Sequence, residues 1–165
     1  MTFRVEPFQP AHYVQAVPRG STVYAYAVDP ESEGLALAQG YAYSAFVDDR
    51  LAGCAGIVQV PWGGSARLWA VLTDVGRAHP IFMHRATCRH LLDLCDKHGI
   101  NRVDVACVAA FGAAGDWIEA IGRYLIKRGW HADYLDLRTN QPRPLIARRA
   151  GPDGVDMLRW GYFRE

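Results

Sequence analysis

The stretch from Ser65 to Gly99, SARLWAVLTDVGRAHPIFMHRATCRHLLDLCDKHG, constrains the fold more than any other part of the chain. Ser65 to Leu72 is apolar enough for a buried strand, and Thr73 to Pro80 is too polar and too broken to continue it. From Ile81 the pattern Ile81, His84, Cys88, Leu91, Leu92 and Cys95 has helical spacing along one face. Pro80 suits the first turn of that helix, where its missing N–H does no harm. A strand that feeds a helix through Val75-Gly76-Arg77-Ala78-His79 places free backbone N–H groups at the helix entrance. Such an entrance suits an anion, typically a phosphate.

The chain has 165 residues, enough for one domain with a real core. With 50% apolar and 21% charged residues it reads as a globular fold rather than a disordered one. A net charge of +1 gives no case for non-specific nucleic-acid binding. Cys54, Cys88, Cys95 and Cys107 sit in apolar segments without CxxC spacing, and they read as buried free thiols of a reducing compartment. The start MTFRVEPFQP lacks a basic region followed by an apolar run, and no segment is apolar for long enough to span a bilayer. The expected location is the cytosol, or a particle assembled there.

The remaining elements follow in order. Thr2 to Val5 is a short strand, and Pro10 opens a helix. Val23 to Val28 fits strand or helix equally. Asp29-Pro30-Glu31-Ser32-Glu33 starts a helix with a capping Asp, Pro in the first position and early carboxylates, and that helix ends near Gly40. Tyr41 to Val47 and Leu51 to Val60 form a hairpin turning at Asp48-Asp49-Arg50. Gly53 and Gly56 signal a bulge or a close backbone approach. Pro61-Trp62-Gly63-Gly64 turns the chain into Ser65. After Gly99 come a strand from Asn101 to Val108, a helix from Trp117 to about Lys127 and a strand from His131 to Leu137. A Pro- and Arg-rich connection then runs from Arg138 to Gly151, with a turn at Gly151–Gly154 and a last strand from Val155 to Phe163. The expectation is a single α+β domain over the whole chain. Its mixed sheet has about six or seven strands, flanked by about four helices and ending in an extended C-terminal hairpin.

This order, with a phosphate-type turn between the fourth strand and the next helix, resembles the GNAT N-acetyltransferase superfamily. The superfamily's acyl-CoA loop reads [Q/R]-x-x-G-x-[G/A], and this chain has Thr73-Asp74-Val75-Gly76-Arg77-Ala78. Gly76 and Ala78 fit, while Thr73 replaces Gln or Arg. Leu125-Ile126-Lys127-Arg128-Gly129-Trp130 resembles the Y-x-K-x-G-F ending of the fourth helix. Leu125 stands in the place of the tyrosine that protonates the leaving thiolate, and Tyr124 lies beside it. Pro61 to Ala70 with the TCRHLLD helix also resembles GNAT-like proteins encoded in phage genomes.

The resemblance implies acetyl-CoA as co-substrate and an amine, on a small molecule or a protein, as acceptor. The N–H groups of Gly76, Arg77, Ala78 and His79 would face the pyrophosphate, with Arg77 adding charge-assisted bonds. Acyl transfer needs a base for the amine and an acid for the thiolate. Ser65 to Leu72 contains no carboxylate, so Asp74 is the first candidate base, ahead of Asp104 and His79, and Tyr124 is the candidate acid. His84, Cys88 and Cys95 share a helix face with Leu91 and Leu92, which points to core packing rather than to a metal. Arg138 to Gly151 carries four arginines around Leu145 and Ile146. That arm is the candidate contact to a second copy or to virion proteins, if the chain is a catalytically silent assembly part.

Overall fold

A computed structural model describes residues 1–17, 29–60, 63–108, 112–148 and 156–165. The expected Val23–Val28 element, the Pro61-Trp62 half of its turn, Arg149 and the Gly151–Gly154 turn lie outside the described residues.

The chain runs β1 (Phe3–Pro7), α1 (Pro10–Ala16), α2 (Pro30–Leu37), β2 (Tyr41–Val47), β3 (Arg50–Gln59), β4 (Ser65–Leu72), α3 (Asp74–Ala78), α4 (Pro80–Lys97), β5 (Arg102–Val108), α5 (Gly112–Ile126), β6 (His131–Ala132), β7 (Leu145–Ala147) and β8 (Met157–Phe163). All strands join one eight-stranded mixed sheet in the order β1-β2-β3-β4-β5-β8-β6, with β7 also on β8. β4 and β5 form the parallel pair, and the other ladders are antiparallel.

Local chemistry explains most boundaries. Asp29 caps α2 by accepting from the N–H groups of Glu31 and Ser32, and Pro30 takes the first helical position. The β2–β3 ladder steps from Ala45–Gly53 to Phe46–Leu51, which leaves Ala52 as a bulged residue in β3. Gly56 is there for close approach, since a Cβ would overlap Ala42 on β2. The last expected strand before the arm is cut to His131–Ala132. Asp136 captures the N–H groups of Arg138 and Thr139 at 2.9 Å, and this local bonding competes with a ladder. Residues 134–143 fold back on themselves instead, with Arg143 N–H donating to the Tyr134 carbonyl. The expected terminal hairpin is therefore two short strands, β6 and β7, laid along β8.

The sheet buries both faces. Ile57, Leu68, Val103, Val105, Trp160 and Tyr162 pack beneath Cys88, Leu91 and Cys95 of α4 and Ile118, Ile121 and Leu125 of α5. Each such aliphatic side chain contributes about 1.5–3 kcal/mol on burial. Tyr13 and Val17 cover Val71 on the opposite face, with Trp69 against them. Ile81, expected on the buried stripe of α4, is 68% exposed, and Met83, Ala86 and Thr87 are buried instead.

Candidate active site: the two edges of strand β4

On its β3 side β4 is bonded along its whole length, and the bonding continues into the next segment. Val60 N–H donates to the Ser65 carbonyl at 3.1 Å, and Thr73 N–H donates to the Ala52 carbonyl at 3.0 Å. The Thr73 hydroxyl donates to the Leu51 carbonyl at 2.7 Å and to that of Ala52 at 3.1 Å, both exposed by the bulge. The same hydroxyl oxygen accepts from Gly76 N–H at 3.4 Å, which caps α3. Gly76 itself lies on β3, where a Cβ would overlap the Ala52 carbonyl oxygen.

On its other side β4 pairs with β5 only at Ser65–Arg102, Ala66–Val103 and Arg67–Asp104. Beyond those pairs the strands part, and the gap opens toward their carboxyl ends. Ligands of open α/β sheets bind in crevices of this kind. The bonds of Ser65 and Thr73 turn odd-numbered residues of β4 toward β3, so the main-chain groups of Ala70 and Leu72 face the gap. On β5, Arg102 N–H donates to the Gly64 carbonyl and Arg164 N–H to that of Asn101, so Ala106 faces the gap from the other side. Ala106 is exposed although it lies within a strand. Arg102 bridges Asp104, at 3.0 Å, and Asp133, which follows β6 on the far side of β8.

Asp74 to Ala78, in the segment expected to cradle a phosphate, is a short helix of its own, with Gly76 N–H bonded to Thr73 Oγ1, Arg77 N–H to the Thr73 carbonyl and His79 N–H to the Gly76 carbonyl. Arg77 is ion-paired to Asp74 at 2.6 Å, and the Asp74 side chain is 98% exposed.

Tyr124 lies apart from this segment. It borders a broad open depression of about 910 Å³ over α4, together with His84, Cys88 and Leu92. The Arg128 guanidinium sits 5.2 Å above its ring. Among the described residues no group of three or more His, Cys, Asp or Glu side chains could hold a metal ion. No helix among them is long and apolar enough to cross a membrane. Burial pushes the Cys54 thiol up to about 11 and the Cys88 and Cys95 thiols up to about 12, so all three are protonated near neutrality. Cys54 also sits behind Ser44, whose hydroxyl lies 3.4 Å from its sulfur and 2.8 Å from His12 Nδ1.

No protein-family model and no curated protein matches the sequence. Solved structures do match. The ribosomal-protein-S18-alanine N-acetyltransferase of Escherichia coli superposes with a TM-score of 0.68 at 14% identity, covering 99% of this chain and 96% of that one. A GNAT-family acetyltransferase of Bacillus anthracis gives 0.66 at 11% identity, over 99% and 95%. One from Streptococcus pneumoniae gives 0.62 at 11% identity, over 99% and 100%. The chain has the GNAT acetyltransferase fold.

On that fold, β4 and β5 are left unpaired beyond Arg67–Asp104. Leu125, at the position where the GNAT resemblance implies a tyrosine, is fully buried in the core. Tyr124 is one residue away and faces the α4 depression instead. Thr73, at the Gln/Arg position, turns into β3 to bond the bulge. Ala70, Leu72 and Ala106, whose main-chain groups face the parted edges, escaped the sequence reading because no side-chain motif marks them. Their signal was the strand–helix–strand order, which places a crevice at the carboxyl ends of two parallel strands.

Proposed function

We propose that the chain is an N-acyltransferase that takes an acyl thioester into the β4–β5 cleft and acylates an amine. The observation that carries this reading is the parting of β4 from β5 after three residue pairs, in a fold shared with acetyltransferases over nearly the whole chain. Acetyl-CoA is the donor implied by the GNAT resemblance. Its amide-bearing arm fits the cleft, where unpaired N–H and C=O groups stand on both sides. For its diphosphate the uncapped start of α4 offers the free N–H groups of Ile81 and Phe82, since those of Gly76, Arg77 and His79 are already bonded and the Arg77 charge is matched by Asp74.

In this reading Tyr124, the neighbour of Leu125, is the candidate acid, and Asp74, a carboxylate next to β4, is the candidate base. Tyr124→Phe and Asp74→Asn each slow turnover by about tenfold or more if they hold, a loss of about 1.4 kcal/mol of transition-state stabilisation. The primary test is thiol release from acetyl-CoA in the presence of a panel of amines and an N-terminal peptide mixture. Amine-dependent release supports acyl transfer. Folded protein that releases no thiol with any amine and shows no heat of binding at millimolar donor overturns it.

A further inference from the structure

An amine that is to be acylated must reach a thioester lying between β4 and β5, and one face of these strands is closed to it. Leu68 of β4, Val103 and Val105 of β5, and Trp160 and Tyr162 of β8 pack beneath α4 and α5. Side chains alternate along a strand, so the residues between these turn to the opposite face. The ladders agree: Arg67 stands beside Asp104, Asp104 beside Gly161, and Ala106 beside Arg159. These five residues therefore share the face away from α4 and α5. Tyr13 and Val17 cover that face at Val71, toward the end of β4. Arg67, Ala106 and Arg159 stay exposed.

The charges on this open face are of two kinds. Arg102 holds Asp104 at 3.0 Å and reaches over Gly161 to Asp133, and a Cβ at Gly161 would overlap both Asp133 and the Arg102 guanidinium. Both carboxylates are thereby engaged by one cation. Arg67 and Arg159 have neither an ion pair nor a hydrogen-bonded carboxylate among the described residues. They stand two strands apart, about 10 Å across the sheet, and are offset by two residues along it. A small anionic group above Ala106 lies within reach of both long side chains. A guanidinium without a carboxylate keeps its planar fork of donors for an anion, whether carboxylate or phosphate.

We propose that this face selects an acceptor amine that itself carries an anionic group, held by Arg67 and Arg159 while the amine enters the gap beside Ala106. This rests on the acyl-transfer reading of the cleft. The transfer is balanced without any further reactant. The amine nitrogen bonds to the acyl carbon, the C–S bond breaks, and the proton lost from nitrogen leaves with the sulfur as a free thiol.

The test is thiol release from acetyl-CoA, or from S-acetyl-pantetheine as its amide arm alone, with amines offered in matched pairs. The pairs are 4-aminobutyrate with its amide, phosphoethanolamine with ethanolamine, and amidated alanine tetrapeptides carrying Glu or Gln at the third position. The expected result is that an acidic member exceeds its neutral partner by about tenfold or more in kcat/KM, mainly through KM. That ratio should shrink at high salt, and in Arg67→Gln or Arg159→Gln it should fall to within about threefold of one. An advantage confined to the carboxylates or to the phosphate says which anion the face takes, and either agrees with the proposal. Circular dichroism checks that each variant is folded. Neutral members used as well as acidic ones, or an acidic preference that survives both substitutions, overturns the proposal and leaves acyl transfer standing. Thiol release with none of the amines overturns acyl transfer itself, and this inference with it.

Discussion

The two edges of β4 have opposite chemistry although they belong to the same eight residues. Toward β3 the strand is bonded to its end, and the bulge at Ala52 extends that bonding through Thr73 into α3. Toward β5 it is bonded over its first three residues and then stands free. A main-chain polar group left without a partner inside a fold is costly, so an unpaired strand edge persists where water or a ligand meets it. The closed edge fixes where the strand lies, and the open edge gives it something to do. Residues on the first should control stability, and residues on the second should control binding.

The sharpest way to break this contrast is Gly76→Ala. The new methyl would meet the Ala52 carbonyl, a backbone atom that cannot move without shifting the bulge. We expect a loss of about 2–3 kcal/mol in denaturant unfolding, with acetyl-pantetheine affinity unchanged on the folded protein. A variant of full stability that has lost ligand binding would assign Gly76 to the open side instead. Thr73→Ala should cost less, about 1–2 kcal/mol, through the lost cap of α3 and the lost bonds to Leu51 and Ala52. Thr73→Ser restores the hydroxyl and should recover most of that difference in the same unfolding experiment.

The same contrast explains what the sequence reveals. Strands β2 to β5 and helix α4 announce themselves by alternation, apolar runs and capping residues, because those signals are local. The reason for Gly76 is not local. A glycine between strand and helix looks alike whether it admits a phosphate or a carbonyl from β3, and here the carbonyl lies far upstream at Ala52. Tyr124 and Leu125 differ by one step around α5, and only the packing of Leu125 against the sheet shows which of them turns inward. Ile81 fits the apolar spacing of α4, but it falls in the helix's first turn, beyond the reach of the core. Asp136 ends a strand that the pattern from His131 to Leu137 would have continued, and it leaves Leu137 99% exposed. The cleft itself is written in no side chain at all.

On the open edge, Ala106→Leu places a larger side chain beside the gap without disturbing any bonded pair of β4 and β5. Its effect on unfolding should stay within about 0.5 kcal/mol, as for other exposed positions, while affinity for acetyl-pantetheine falls about tenfold or more. Comparing the two numbers in one variant is the useful measurement. A large stability loss with binding intact would show that the gap is packed against something and is not a ligand cleft.

The mildest test changes no residue and uses two thiols that fall on opposite sides of the comparison. Cys54 lies on β3 across from Val71, at the closed edge, and is buried; Cys107 lies on β5 beyond the last β4–β5 pair and is half-buried. Burial raises both thiols, that of Cys54 to about 11, so neither is much ionised near neutral pH. With dilute iodoacetamide and peptide mapping, Cys107 should be labelled first, and bound acetyl-pantetheine should slow it. Cys54 should react only at the rate of unfolding. The sign of the pH dependence follows from the raised values. A thiol that ionises near 9.0 when unfolded and near 11 when folded stabilises the native state fully below pH 9, and that contribution is lost as pH rises toward 11. Unfolding followed by denaturant at successive pH values should therefore show stability falling across that interval. Labelling of Cys54 should accelerate with it, whereas early labelling of Cys54 at neutral pH would mean that the β3 edge is not closed.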